Sequence, residues 1–107
     1  MKIQQNQLHI LKAEDFLPQL DKQSIQMIYI DPPYNTKSKQ FEYNDSFTDD
    51  DWEEMMSNVL TQSQRILKET GCIFVSIDDN SLIELRTIMN KIFGKHNFLG
   101  MFITKQA

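Results

Sequence analysis

A carboxylate, two consecutive prolines and a tyrosine stand together at Asp31-Pro32-Pro33-Tyr34. Neither proline has an N–H, each fixes its own φ, and each pushes the residue before it toward extended geometry. Asp31 offers acceptors only, the Pro32 carbonyl is a further acceptor aimed by a rigid dipeptide, and Tyr34 supplies a flat ring. Two converging acceptors and a stacking face suit a planar group that bears –NH2, such as the exocyclic amine of a nucleobase. That nitrogen is a poor nucleophile because its lone pair is delocalised into the ring. Accepting both of its hydrogens lets it become more tetrahedral and frees the lone pair. The carboxylate stabilises positive charge that develops on nitrogen during attack, and the Tyr34 π face can meet the same charge. An arbitrary Asp-Pro merely ends a turn. The four-residue word, however, is expected by chance in fewer than about one in a hundred chains of this length.

The elements that must hold this word can be read from periodicity. Residues 25–30 form a strand that becomes continuously apolar toward its end, as for a strand covered on both faces. Before it, residues 8–11 read as a short strand. Lys12 to about Asp21 reads as a short helical segment, interrupted by Pro18, with Phe16, Leu17 and Leu20 as its apolar positions. From Pro32 to about Thr48 neither period is present. The aromatics Tyr34, Phe41, Tyr43 and Phe47 argue against simple disorder, so this stretch reads as a flap that orders over a ligand.

Thr48 can cap a helix whose first turn is acidic and whose apolar face is Trp52, Met55, Met56, Val59, Leu60, Ile66 and Leu67. Gly71 is its expected left-handed stop. Cys72–Ile77 is a third strand, fully apolar apart from Ser76. Asp78-Asp79-Asn80-Ser81 caps a helix that carries Leu82, Leu85, Ile88, Met89, Ile92 and Phe93, and Gly94 closes it. Residues 98–104 read as a last strand. Strands joined by helical crossovers run parallel, so the pattern predicts an α/β sheet of the doubly wound type, or a piece of one. Asp31 and Asp78 then lie at the carboxyl ends of parallel strands, on the edge where such sheets bind ligands.

The bulk numbers bound the rest. With 107 residues, 40% hydrophobic and 24% charged, the chain has room for one domain and one core. A net charge of −4 supplies no basic surface for a polyanion. No apolar stretch is long enough for a membrane span or a signal segment, and the lone Cys72 reads as a buried thiol in a reducing cytoplasm. Asp78 and Asp79 are ligand-edge candidates, although acidic residues before a helix are usually caps. His9 and His96 read as structural or exposed, and no metal spacing occurs.

Asp31-Pro32-Pro33-Tyr34 resembles the catalytic motif of amino-methylating DNA methyltransferases. The likeness extends over nearly the whole chain, through Phe41-Glu42-Tyr43-Asn44-Asp45, Trp52, Leu67-Lys68-Glu69-Thr70-Gly71, Ile77-Asp78-Asp79, Ile92-Phe93-Gly94 and Asn97-Phe98. These are similar to Mod subunits of type III restriction-modification systems and their relatives. The resemblance implies a partial Rossmann-like methyltransferase fold, S-adenosylmethionine as methyl donor, and adenine N6 of a flipped base in duplex DNA as acceptor. It assigns catalysis to Asp31, Pro32, Pro33 and Tyr34, and places Glu14 and Asp15 near the adenosylmethionine pocket. The implied partners are duplex DNA, the remaining methyltransferase segment or a restriction subunit, and a second copy in a full-length form. A membrane is not among them.

One part of the pattern is missing. The three glycines, at 71, 94 and 100, make no Gly-x-Gly turn of the kind that cradles a cofactor. Residues 1–107 therefore read as the N-terminal, catalytic-motif portion of a truncated or split methyltransferase, without target-recognition and glycine-rich regions, and inactive alone. The alternatives are a non-catalytic remnant or subunit-interaction module, and a cytosine-N4 methyltransferase fragment.

Overall fold

The structure, a computed structural model, describes residues 5–33 and 49–104. A short helix α1 (Ala13–Phe16) runs into a 3₁₀ turn at Leu17–Gln19 that accommodates Pro18. Strand β1 (Ile25–Ile30) follows, then helix α2 (Asp49–Ile66), strand β2 (Leu67–Val75), a 3₁₀ turn (Asp79–Ser81), helix α3 (Leu82–Phe93) and a closing turn at Lys95–Asn97. The two strands pair in parallel, joined through α2 as a β-α-β crossover.

Helix α2 forms because Trp52, Met56, Val59, Leu60 and Ile66 recur on one face, all buried. Ser63 interrupts that stripe at 0% exposure, and its hydroxyl is satisfied by donating to the Val59 carbonyl at 2.8 Å. Trp52, Met56 and Leu60 meet Leu85 of α3, with Ile30, Ile73 and Val75 of the sheet packed beneath. The helices thus cover one face of the sheet. On the other face Met27, Tyr29 and Phe74 are exposed, so β1 alternates instead of being enclosed on both sides as its apolar run suggested.

Helix α2 also ends earlier than Gly71. The Gln23 and Ser24 amides donate to the carbonyls of Arg65 and Ile66 at 3.1 and 2.8 Å, drawing the chain directly into β2. Gly71 therefore sits within the strand, and its φ is not in the left-handed region. Its requirement is close approach. β2 advances from Leu67 to Cys72 while β1 advances only from Ile25 to Met27, and a Cβ on Gly71 would lie 2.8 Å from the Gln26 carbonyl oxygen. Gly94 is the left-handed stop, with φ 94°, and its amide donates to the Asn90 carbonyl at 3.0 Å.

The expected strands at 8–11 and 98–104 do not form. Leu8, Ile10, Leu99, Phe102 and Ile103 are each at least 85% exposed, and neither segment joins a ladder among the described residues. An apolar run without a neighbouring strand has nowhere to place its N–H and C=O groups. Among the described residues the sheet has two strands, so a complete doubly wound architecture is not present there. Cys72 is half-buried, beside the bulge, rather than fully enclosed. The capping expected of Thr48 lies outside the described residues, as does all of the flap expected from Pro32 to about Thr48 except Pro32 and Pro33.

Candidate active site

β1 ends at Ile30, and the next residue is Asp31. The parallel ladder continues one step beyond, with the Ser76 amide donating to the Ile30 carbonyl at 2.9 Å. Asp31 thus leaves the sheet beside the end of β2, and Asp78 follows three residues after Val75 on the same carboxyl edge. The edge inferred from sequence is the edge observed. Asp31 is exposed, Pro32 is buried and Pro33 is exposed, so the turn is rooted in the protein with its carboxylate open to solvent. Tyr34 lies outside the described residues.

The turn is anchored from α2. The Trp52 indole N–H donates to the Pro33 carbonyl at 2.8 Å, while the Trp52 ring is wholly buried in the core. Sequence reasoning treated Trp52 as core alone. The available signal was its N–H, which requires an acceptor once the ring is buried.

Asp78 is half-buried in extended geometry ahead of the 3₁₀ turn, and neither it nor Ser81 makes a side-chain capping bond. The four-residue cap expected from sequence is therefore replaced by a weak backbone contact from the Ser81 amide to the Asp78 carbonyl, at 3.4 Å. One Asp78 oxygen, Oδ2, accepts from Asn80 at 3.4 Å, while the buried Oδ1 has no partner among the described residues. Asp79 is exposed. Nearby, the Arg86 guanidinium lies 3.7 Å from the centre of the Phe98 ring, a cation–π contact that holds the start of the C-terminal segment against α3.

Asp15 is not brought to this edge. Arg65, in the last turn of α2, donates to the carbonyls of Leu17 and Leu20 at 3.0 and 2.9 Å and so holds the α1 region against the far half of that helix. Trp52 and Arg65 are separated by about 20 Å along the helix axis. Two clefts of about 280 and 270 Å³ flank α2, one lined by Glu14, Leu17 and Pro18 with Asn58 to Gln62, the other between α2 and α3. Neither includes Asp31 or Asp78. Among the described residues no cluster of His, Cys, Asp and Glu could hold a metal ion, and no helix is long and apolar enough to cross a membrane. His9 stacks loosely on Phe16 at 5.0 Å, and His96 is exposed in the turn after α3.

A family profile described as DNA methylase matches residues 25–107. The chain is 40% identical over 84 residues to the "Probable type III restriction-modification enzyme HindVI Mod subunit" of Haemophilus influenzae, covering 78% of this chain and 11% of that protein. It is 32% identical to the type III restriction-modification enzyme EcoP15I Mod subunit of Escherichia coli, covering 79% of this chain and 18% of the relative. With the type II methyltransferase M.KpnI of Klebsiella pneumoniae the identity is 35%, over 81% and 23%. The chain thus spans less than a quarter of the length of these curated relatives.

Proposed function

The chain belongs to the DNA methylase family, and from that premise we propose that it forms the amine-accepting part of an adenine-N6 DNA methyltransferase of a restriction-modification system. The observation that carries this reading is the exposed Asp31 carboxylate, set on a buried proline at the carboxyl edge of a parallel sheet. Such an edge is where open α/β sheets receive ligands. Asp31 and the Pro32 carbonyl accept the two hydrogens of the adenine amine, and Tyr34 stacks on the base. Holding both hydrogens localises the nitrogen lone pair, and the carboxylate stabilises the positive charge that grows during attack. The base reaches this edge by leaving the duplex stack.

S-adenosylmethionine supplies the methyl group in this reaction. Neither cleft beside α2 includes Asp31, and the three glycines form no Gly-x-Gly turn. Asp15, the residue proposed to touch the donor, stands by the far half of α2. In this reading Asp31, Pro32 and Tyr34 serve the acceptor amine.

The open sheet face of Met27, Tyr29 and Phe74 favours a second reading, in which the chain is a contact module for another methyltransferase or restriction subunit. One experiment separates the two. The chain is co-purified with the target-recognition and glycine-rich region of a type III Mod subunit, and methyl transfer from labelled S-adenosylmethionine to duplex DNA is measured. The nucleosides released by digestion identify the product. N6-methyladenine supports the proposal, and N4-methylcytosine replaces adenine with cytosine as the acceptor. A stable complex that transfers no methyl group leaves the contact module as the better account.

A further inference from the structure

The Asp-Pro-Pro turn has almost all of its backbone torsions set by covalent chemistry. The proline rings fix φ at residues 32 and 33, and each proline restricts the ψ of the residue before it. The torsion that the rings leave open is ψ of Pro33, which sets where its carbonyl points and in which direction the chain leaves toward Tyr34. That carbonyl is the acceptor of the Trp52 indole N–H, at 2.8 Å. Trp52 itself cannot move independently: it is 0% exposed and packed with Met56, Leu60 and Leu85. The indole is a donor only, so the bond has one polarity and one geometry.

We infer that Trp52 is a positioning residue for the acceptor motif. It holds the Pro33 carbonyl, the far end of a turn whose near end leaves β1, and so couples the turn that carries Asp31 and the Pro32 carbonyl to the hydrophobic core. This rests on the acceptor-site reading above. The consequence for rate follows from orientation, because displacing a reacting group by about 1 Å can lower catalysis about 100-fold. Trp52 touches no reacting atom; it acts through Pro33.

Trp52 is the single tryptophan, so its indole N–H gives one unambiguous NMR signal. In the 107-residue chain that proton is expected to exchange slowly with solvent and to show coupling through the hydrogen bond to the Pro33 carbonyl carbon. Replacing Trp52 by 3-benzothienylalanine keeps the bicyclic shape and removes only the donor; Trp52→Phe is the genetically encoded counterpart. In both variants the Asp31 amide and Pro33 carbonyl signals should move and broaden; in the benzothienylalanine variant, which keeps the ring volume, those of Leu60 and Leu85 should move less, whereas Phe also opens a void beside them. In the reconstituted enzyme, kcat for methyl transfer should fall about 100-fold with KM for DNA unchanged.

An indole proton that exchanges as fast as in free tryptophan overturns the inference whatever the activity. So does a benzothienylalanine variant with unaltered Asp31 and Pro33 signals, or one whose core signals shift equally, which marks a merely structural role. Full kcat in that variant also overturns it. If the unsubstituted enzyme transfers no methyl group, the methyltransferase reading fails, and the NMR measurements on the chain alone still decide whether Trp52 positions the turn.

Discussion

Asp31 presents two acceptor oxygens to solvent one residue beyond the end of β1, on a turn whose next residue is buried. Its side chain is exposed, and substitutions at such surface positions usually change stability by no more than about 0.5 kcal/mol. Asp31→Ala should therefore leave the melting temperature nearly unchanged. In the reconstituted enzyme it should lower methyl transfer by at least about 1,000-fold, because the charge that meets the developing positive nitrogen is gone. Thermal melting and single-turnover methylation, run on the same preparations, check the two halves of this expectation. Retained activity would remove Asp31 from its assigned role. A different residue effect is expected in the core. Leu60 is wholly enclosed between Trp52, Met56 and Leu85, and Leu60→Ala should destabilise the chain by about 2–5 kcal/mol in urea unfolding.

At the scale of elements, the junction of α2 with β2 decides how the sheet edge is built. Gly71 is needed where the strands change register, since a Cβ there would meet the Gln26 carbonyl oxygen at 2.8 Å. That neighbour is backbone, so Gly71→Ala must shift the ladder, at a cost of about 1–3 kcal/mol. Reduced unfolding midpoint at unchanged denaturant slope is the expected observation. Arg65 performs a separate task, tying α1 and its 3₁₀ turn to α2 through the Leu17 and Leu20 carbonyls. Arg65→Met should release that segment, raising amide hydrogen exchange over residues 13–20 while β1 and β2 keep their protection. The start of α2 and both ends of α3 were legible from sequence, because buried positions recur at helical spacing. The stop of α2 was not, because it depends on Gln23 and Ser24 reaching the carbonyls of Arg65 and Ile66, a contact across more than forty residues of chain.

For the molecule as a whole, the Asp31 edge proposed to receive the acceptor lies outside both clefts beside α2. Titration of the 107-residue chain with S-adenosylmethionine should give a Kd weaker than about 1 mM. Tight binding with turnover on duplex DNA by these residues alone would overturn the division of the site into an acceptor part here and a donor part elsewhere.

The sequence by itself determined the chemistry on offer at Asp31-Pro32-Pro33-Tyr34, the family to which it points, and the strand that ends there. Those follow from residue type and local spacing: proline has no N–H, a carboxylate only accepts, and apolar periodicity selects helix or strand. The placement of Asp31 and Asp78 on one edge also followed, since a crossover through α2 requires parallel strands. Tertiary structure alone decided what the apolar runs at 8–11 and 98–104 became, because a strand exists only when a neighbouring ladder accepts its hydrogen bonds. It alone tied the 3₁₀ turn after α1 to Arg65 in the last turn of α2, and it gave Trp52 a bond to the Pro33 carbonyl in addition to its place in the core. A donor's partner across space is fixed by packing, and packing is not written in the spacing of residues along the chain.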